Sequence, residues 1–232
     1  MLTSPWFIYL RTLTRKLRLN QFIGRLIVNG RYEDRFGPAL QAEVRPGDTV
    51  WDIGANLGLY TQKFIAGVGP SGCVVAFEPV PACFAQLRQR LAESPQIKLH
   101  NVAMGDADGQ IAMSLEADPL AATHRVVDIE HAGGSENLVQ VEVRSAASLV
   151  ASEPELFPNV VKIDVEGHEG AVMDGMHSLL PDCRLRCIGI EVHFGLLADR
   201  GESTRPKQME RTLLQHGFRM RWTDPSHLLA VR

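Results

Sequence analysis

Thr49-Val50-Trp51-Asp52-Ile53-Gly54-Ala55-Asn56-Leu57-Gly58 decides the fold. Five strand-forming residues run straight into a glycine loop, and a helical pattern from Leu59 to Val68 follows. A strand, a tight glycine turn and a helix form the opening unit of a nucleotide-binding α/β domain. Upstream, Pro46-Gly47-Asp48 is a turn; downstream, Gly69-Pro70-Ser71-Gly72 closes the helix. Cys73 to Phe77 reads as a second strand ending at Glu78-Pro79, and Phe84, Leu87 and Leu91 mark a second helix. Ile97 to Ala103 reads as a third strand.

The alternation predicts a parallel sheet with crossover helices. Residues 110–144 break it with strand-like pieces at Ile111–Leu115 and Leu138–Val143 and a polar loop at His131–Asn137, so a small β-rich insertion is expected. The pattern resumes at Val160–Asp164, with a helix from about His168 and a fifth strand over Cys187–Val192. A helix over Thr204–His216 and a hairpin of Phe218–Trp222 with His227–Val231 complete it. The expected architecture is a Rossmann-like α/β fold: a mostly parallel seven-stranded sheet with a terminal antiparallel hairpin. It occupies residues 32–232, after an amphipathic helical segment over 1–31.

In that segment Trp6, Tyr9, Leu10, Leu13 and Leu17 share one face and Arg11, Arg15 and Arg18 the other. We favour packing on its own domain with a solvated basic face. Peripheral membrane contact and a lid over the site are the competing readings.

The 232 residues, 45% hydrophobic and 22% charged, have ordinary globular composition. A net charge of −3 lacks the basic footprint of a nucleic-acid partner. No apolar run approaches a membrane span of about 20 residues. The patch Trp6–Leu10 precedes the basic residues, the reverse of a secretory signal. Cys73, Cys83, Cys183 and Cys187 form no CxxC pair, so no structural zinc is expected, and scattered thiols fit a cytoplasmic protein.

Asp52, Gly54, Asn56, Gly58 and Glu78 form the cofactor constellation. Glu78 follows Gly54 by 24 residues, near the spacing of about 20 at which an acid accepts both ribose hydroxyls. A dinucleotide's pyrophosphate favours a bare GxGxxG loop. Here an acid precedes a GxNxG loop, which suits a cationic ligand and repels a pyrophosphate. S-adenosylmethionine, with its sulfonium, is therefore favoured over NAD. Asp106, just past the third strand, is placed to accept from an adenine amino group.

Asp164, Glu166 and His168 follow the fourth parallel strand, where open α/β sheets bind their ligands. His168 is the first choice of general base for a hydroxyl acceptor, because imidazole titrates near neutrality. Two plainer readings compete: Glu166 and Glu169 as helix N-terminal acids, or an acid and histidine cluster around a divalent metal. No metal is assigned. Glu191 and His193 form a matching acid and histidine after the fifth strand; the remaining histidines read as structural.

Val50–Tyr60, Ala76-Phe77-Glu78-Pro79, Asn101–Asp106, Val161–Glu169 and Ile190–His193 together resemble the FkbM-type methyltransferase family over roughly residues 32–195. The resemblance implies a class I methyltransferase fold, S-adenosylmethionine as donor, and O-methylation of sugar, glycan or secondary-metabolite hydroxyls. Asp52, Gly54, Asn56, Gly58, Glu78 and Asp106 carry over as cofactor contacts, and Asp164, Glu166 and His168 as motif residues near the acceptor. One departure is Ala147-Ser148-Leu149, where the family often has Leu-Asp. An NAD-dependent oxidoreductase and a non-catalytic binding module on the same fold are the alternatives. A nucleic-acid methyltransferase lacks support, since no Asn-Pro-Pro-Tyr-like segment follows the fourth strand. The sequence does not fix an oligomeric state.

Overall fold

Strands buried on both faces read as continuous apolar runs, and that is how the central elements of this chain are built. The computed structural model describes residues 35–114, 125–127 and 138–232. The helical segment expected within 1–31 and the loop at His131–Asn137 lie outside the described residues. The first half runs α1 (Phe36–Gln41), β1 (Thr49–Ile53), α2 (Leu59–Val68), β2 (Cys73–Phe77), α3 (Pro81–Leu91) and β3 (Ile97–His100). Then come β4 (Ala103–Gly105), β5 (Gly109–Ser114), β6 (Arg125–Val127), β7 (Leu138–Ser145) and α4 (Ala146–Ser152). The second half runs β8 (Val160–Ile163), α5 (Glu169–Gly175), β9 (Cys187–Glu191), α6 (Phe194–Asp199), α7 (Arg205–Gln215), β10 (Arg219–Asp224) and β11 (His227–Val231).

The seven-stranded sheet has the order β10-β11-β9-β8-β1-β2-β3. β3, β2, β1, β8 and β9 are parallel, and β11 joins β9 antiparallel, followed by β10 as a hairpin. Alternate side chains point to opposite faces. Val50, Val74, Val160 and Cys187 pack with Phe36, Leu40, Phe64 and Val68 of α1 and α2. Trp51, Ile53, Val75 and Ile163 join the larger core on the other face, with Val172 of α5 and Met209 and Leu213 of α7. The Trp51 indole N–H is satisfied there by the Leu156 carbonyl at 2.7 Å.

Strand order reverses between β1 and β8: the chain moves outward through β2 and β3, then returns to β8 on the other side of β1. Open α/β sheets bind ligands at such a switch point. Here the backbones nearly touch. Gly54 has φ +79°, and a Cβ on it would lie 1.9 Å from the Asp164 carbonyl oxygen.

One sequence expectation is corrected. Ile97 to Ala103 is not one strand: β3 ends at His100, and Ala103 begins β4 in a second sheet ordered β4-β7-β5-β6. Asn101 makes the corner, its side-chain amide donating to the carbonyls of Glu78 (2.7 Å) and Pro79 (3.0 Å). The β-rich insertion is this second sheet. No helix among the described residues is long and apolar enough to cross a membrane.

The two sheets are coupled through α5. Gly175 packs backbone to backbone on β4, and a Cβ there would sit 1.9 Å from the Gly105 carbonyl oxygen. Overpacking of this kind costs about 1–3 kcal/mol. Gly175→Ala is expected to lose that much in urea unfolding; full stability would mean that the contact is slack.

Candidate active site

A cavity of about 470 Å³ opens beyond the carboxyl ends of β1, β2, β8 and β9. Its volume is that of a small-molecule site. Met104, Ile111, Met113 and Val143 of the second sheet give it an apolar wall, and the loops after the parallel strands supply its polar groups.

Of the residues singled out from sequence, Gly54, Asn56, Glu78, Asp106, Asp164, Glu166 and His168 line this cavity. Asp52 and Gly58 stand behind it. Asp52 is wholly buried, accepting from Lys162 Nζ at 3.0 Å and Thr61 Oγ1 at 2.6 Å. Its charge is used inside the core, so it is not the direct partner of a cationic ligand that its position suggested. Gly58 is the left-handed N-cap of α2, and a Cβ there would press on Leu87 at 2.7 Å.

Glu78 is only 5% exposed. Each carboxylate oxygen accepts one backbone N–H, Oε2 from Asn56 and Oε1 from Val80, both at 2.8 Å. Burial pushes its carboxyl up to about 7, against the lowering effect of those two hydrogen bonds and Lys162. Asn56 itself is left-handed, at φ 49°, a conformation that asparagine tolerates.

The turn after β8 is also strained. Glu166 has φ 49° and Gly167 φ 92°. Strain at a non-glycine residue persists where its surroundings enforce it. Here Glu169, fully buried, accepts the Gly167 N–H at 2.9 Å, and Arg200 donates to the Gly167 carbonyl at 2.5 Å. His168 Nε2 has no hydrogen-bond partner. Burial, reinforced by Arg200, lowers the His168 imidazole to about 4, so the ring is neutral at pH 7.

His193 is its opposite. Its Nδ1 donates to Glu169 Oε1 at 2.6 Å, and its Nε2 lies 3.4 Å from Glu166 and 3.8 Å from Glu191. Burial alone would lower this imidazole. The hydrogen bond to Glu169 and the charges of Glu166 and Glu191 prevail and raise it to about 9. Glu191 is held in turn by His227 Nε2 at 3.3 Å, whose Nδ1 lies 2.7 Å from Asp224.

Sequence reasoning gave Lys162 and His227 no role. Lys162 had a readable signal. It interrupts the apolar run Val160–Ile163 and sits in register with Asp52 on the neighbouring strand. A lysine inside a doubly covered strand needs an acid beside it, and Asp52 is the acid of β1. His227 had no such signal, because its partners Glu191 and Asp224 meet it only through the β9–β11 pairing and the hairpin turn.

The sheet order, the glycine turn at the switch point and the acid ending the second strand define a class I methyltransferase fold. Residues 52–220 match the methyltransferase FkbM domain, and the chain belongs to that family. It is 31% identical over 185 residues to the hexuronic acid methyltransferase AglP of Haloferax volcanii, covering 78% of this chain and 66% of that protein. It is 41% identical over 97 residues to the 31-O-demethyl-FK506 methyltransferase FkbM of Streptomyces tacrolimicus, covering 42% of this chain and 32% of that one. The chain thus spans less than two thirds of either relative's length. The crystal structure of methyltransferase FkbM from Methylobacillus flagellatus KT shares the fold at TM-score 0.52 and 15% identity, over 84% of this chain and 50% of that one.

Removing one partner of a buried ion pair costs about 3–5 kcal/mol, because the other charge is left uncompensated. Lys162→Met is therefore expected to destabilise the fold by about that amount in chemical denaturation, and adding Asp52→Asn should restore a substantial part. A single variant as stable as the parent would show that the pair is dispensable.

Proposed function

We propose that the chain is an S-adenosylmethionine-dependent O-methyltransferase acting on a hydroxyl of a sugar, glycan or secondary metabolite. The observation that carries this reading is the Glu78 carboxylate, buried at the end of β2 and facing the cavity beside Gly54 and Asn56. A desolvated double acceptor fits the paired hydroxyls of a ribose. The names of two relatives, a hexuronic acid and a 31-O-demethyl-FK506 methyltransferase, support the acceptor range. Since Lys162 neutralises Asp52, the case against a pyrophosphate now rests on the acidic lining itself: Glu78, Asp106, Asp164 and Glu166.

Glu78 would hold the ribose, Asp106 the adenine amino group, and the Gly54–Asn56 turn would let the backbone close on the amino-acid tail. The donor supplies an electrophilic methyl group on a sulfonium. His168, neutral and with Nε2 in no hydrogen bond, is the group to take the proton of the acceptor hydroxyl. Asp164 and Glu166 offer acceptors that orient the hydroxyl, and alignment does much of the remaining work. The apolar wall of Met104, Ile111, Met113 and Val143 would pack against the bound donor and acceptor.

Calorimetric titration should show saturable binding of S-adenosylmethionine and S-adenosylhomocysteine and none of NAD; binding of NAD alone overturns the reading. Ribose hydroxyls need the ionised Glu78. S-adenosylhomocysteine affinity is therefore expected to fall about tenfold per unit as pH drops below about 7, and to level off above it. Glu78→Gln should abolish that slope and weaken binding by about tenfold or more. A slope that survives the substitution would remove Glu78 from the ribose site.

With an acceptor, His168→Ala is expected to lower kcat by about 10²–10⁴-fold and leave S-adenosylhomocysteine affinity unchanged. A base with a folded pKa of about 4 fails only as pH falls through that value. At saturating donor, kcat should thus stay flat down to about pH 5. A limb near the ordinary histidine value would assign the proton to another group.

A further inference from the structure

Asp164 shares the cavity with Glu166 and His168, as expected from sequence, and the fold also brings it beside Glu191 and His193. β8 and β9 are parallel neighbours with Ile163 opposite Ile190, so Asp164 and Glu191 leave the sheet side by side. His193 follows two residues later. One oxygen of Asp164, one of Glu191 and one ring nitrogen of His193 all lie within 4.8 Å of one another. We propose that Asp164, Glu191 and His193 bind a single divalent cation at the polar floor of the cavity.

The spacing suits such an ion. With bonds of about 2.1 Å, octahedral donors lie about 3–4.2 Å apart, so small side-chain shifts would close the set. Both carboxylates line the cavity, which leaves the remaining coordination positions open to a ligand. Two carboxylates and an imidazole match the preferences of Mn²⁺ and Zn²⁺, and a carboxylate-rich site also accepts Mg²⁺.

The surroundings of each donor are already organised. The His193 side chain is 6% exposed and the Glu169 side chain is 0% exposed. Their 2.6 Å hydrogen bond engages Nδ1 and leaves Nε2 turned toward the carboxylates. A buried carboxylate behind an imidazole fixes the ring and raises its donor strength, the arrangement found behind metal-bound histidines. Glu191 is steadied by His227 through Oε2, while its Oε1 faces His193. Lys162 approaches Asp164 only at Oδ2, 3.5 Å away, and a carboxylate has a second oxygen to give.

Charge favours occupancy as well. Asp164, Glu166, Glu169 and Glu191 lie around the His193 imidazole, with the buried Lys162 ammonium 3.5 Å from Asp164. A divalent ion would offset two of these negative charges. An ion here would also hold an acceptor hydroxyl and make it more acidic. That consequence depends on the methyl-transfer reading; ion binding itself does not.

The test uses the full chain, stripped with chelator, without donor or acceptor. Mn²⁺ is titrated and the free ion followed by electron paramagnetic resonance, with calorimetry for stoichiometry. One Mn²⁺ per chain is expected, displaced by Zn²⁺. Glu191→Gln and Asp164→Asn, checked for fold by circular dichroism, should each weaken it by about tenfold or more, while exposed Glu155→Gln should not. Absence of saturable binding at millimolar Mn²⁺, or binding unchanged in both folded carboxylate variants, overturns the proposal. Neither outcome bears on S-adenosylhomocysteine binding, which tests the donor site separately.

Discussion

The Lys162 ammonium is the interaction on which the rest depends. It has three N–H donors and no acceptor, and it stands among three oxygens: Asp52 Oδ1 at 3.0 Å, the Gly54 carbonyl at 3.2 Å and Asp164 Oδ2 at 3.5 Å. Those oxygens belong to the two strands that flank the switch point and to the turns that leave them. A charge buried this deeply persists only when paired and hydrogen-bonded. The strand register supplies that pairing by setting Asp52 opposite Lys162. One side chain thereby ties β1, β8, the glycine turn and the first acid of the polar floor into a unit whose members cannot shift independently.

The cavity above this unit needs a second element, because a parallel sheet alone ends in open loops. The chain provides it by leaving the first sheet at Asn101. That residue satisfies the carbonyls of Glu78 and Pro79, so the corner that launches the second sheet also fixes the loop carrying the buried Glu78 carboxylate. The same economy appears in α5. Its first residue, Glu169, pins the strained turn and His193, and its last, Gly175, lies against β4. The helix therefore sets the distance between the polar floor and the apolar wall.

The fold was legible because its signals are local. The strand of residues 49–53 and the helix of 59–68 announce themselves by residue type and spacing, and the strand of 73–77 by its closing acid. The third strand misled because Ile97 to Ala103 has no glycine or proline to mark its bend; the bend is made by a side-chain amide reaching back more than twenty positions. For the site, position after a strand was enough to bring Asp164, Glu166 and His168 to the cavity, but not to say which groups face one another. Asp52 precedes the glycine loop, yet alternation along β1 turns it toward α2 and Thr61 rather than toward the cavity. The link between Glu169 and His193 spans 24 positions and depends on how far the strained turn folds back. No periodicity in one sequence encodes that distance.

His168 and His193 show why residue type alone could not divide the labour. Both are largely buried, and burial pushes both imidazoles toward the neutral form. His168 has the Arg200 guanidinium near it, which adds to that push. His193 has a carboxylate bonded to one nitrogen and two more within 4 Å of the other, and these reverse it. The turn of residues 164–168 separates the two environments. It sends Glu166 toward His193 while leaving His168 Nε2 without a hydrogen bond. The left-handed turn thereby gives the two histidines opposite surroundings: His168 is kept neutral by burial and Arg200, and His193 is enclosed by carboxylates.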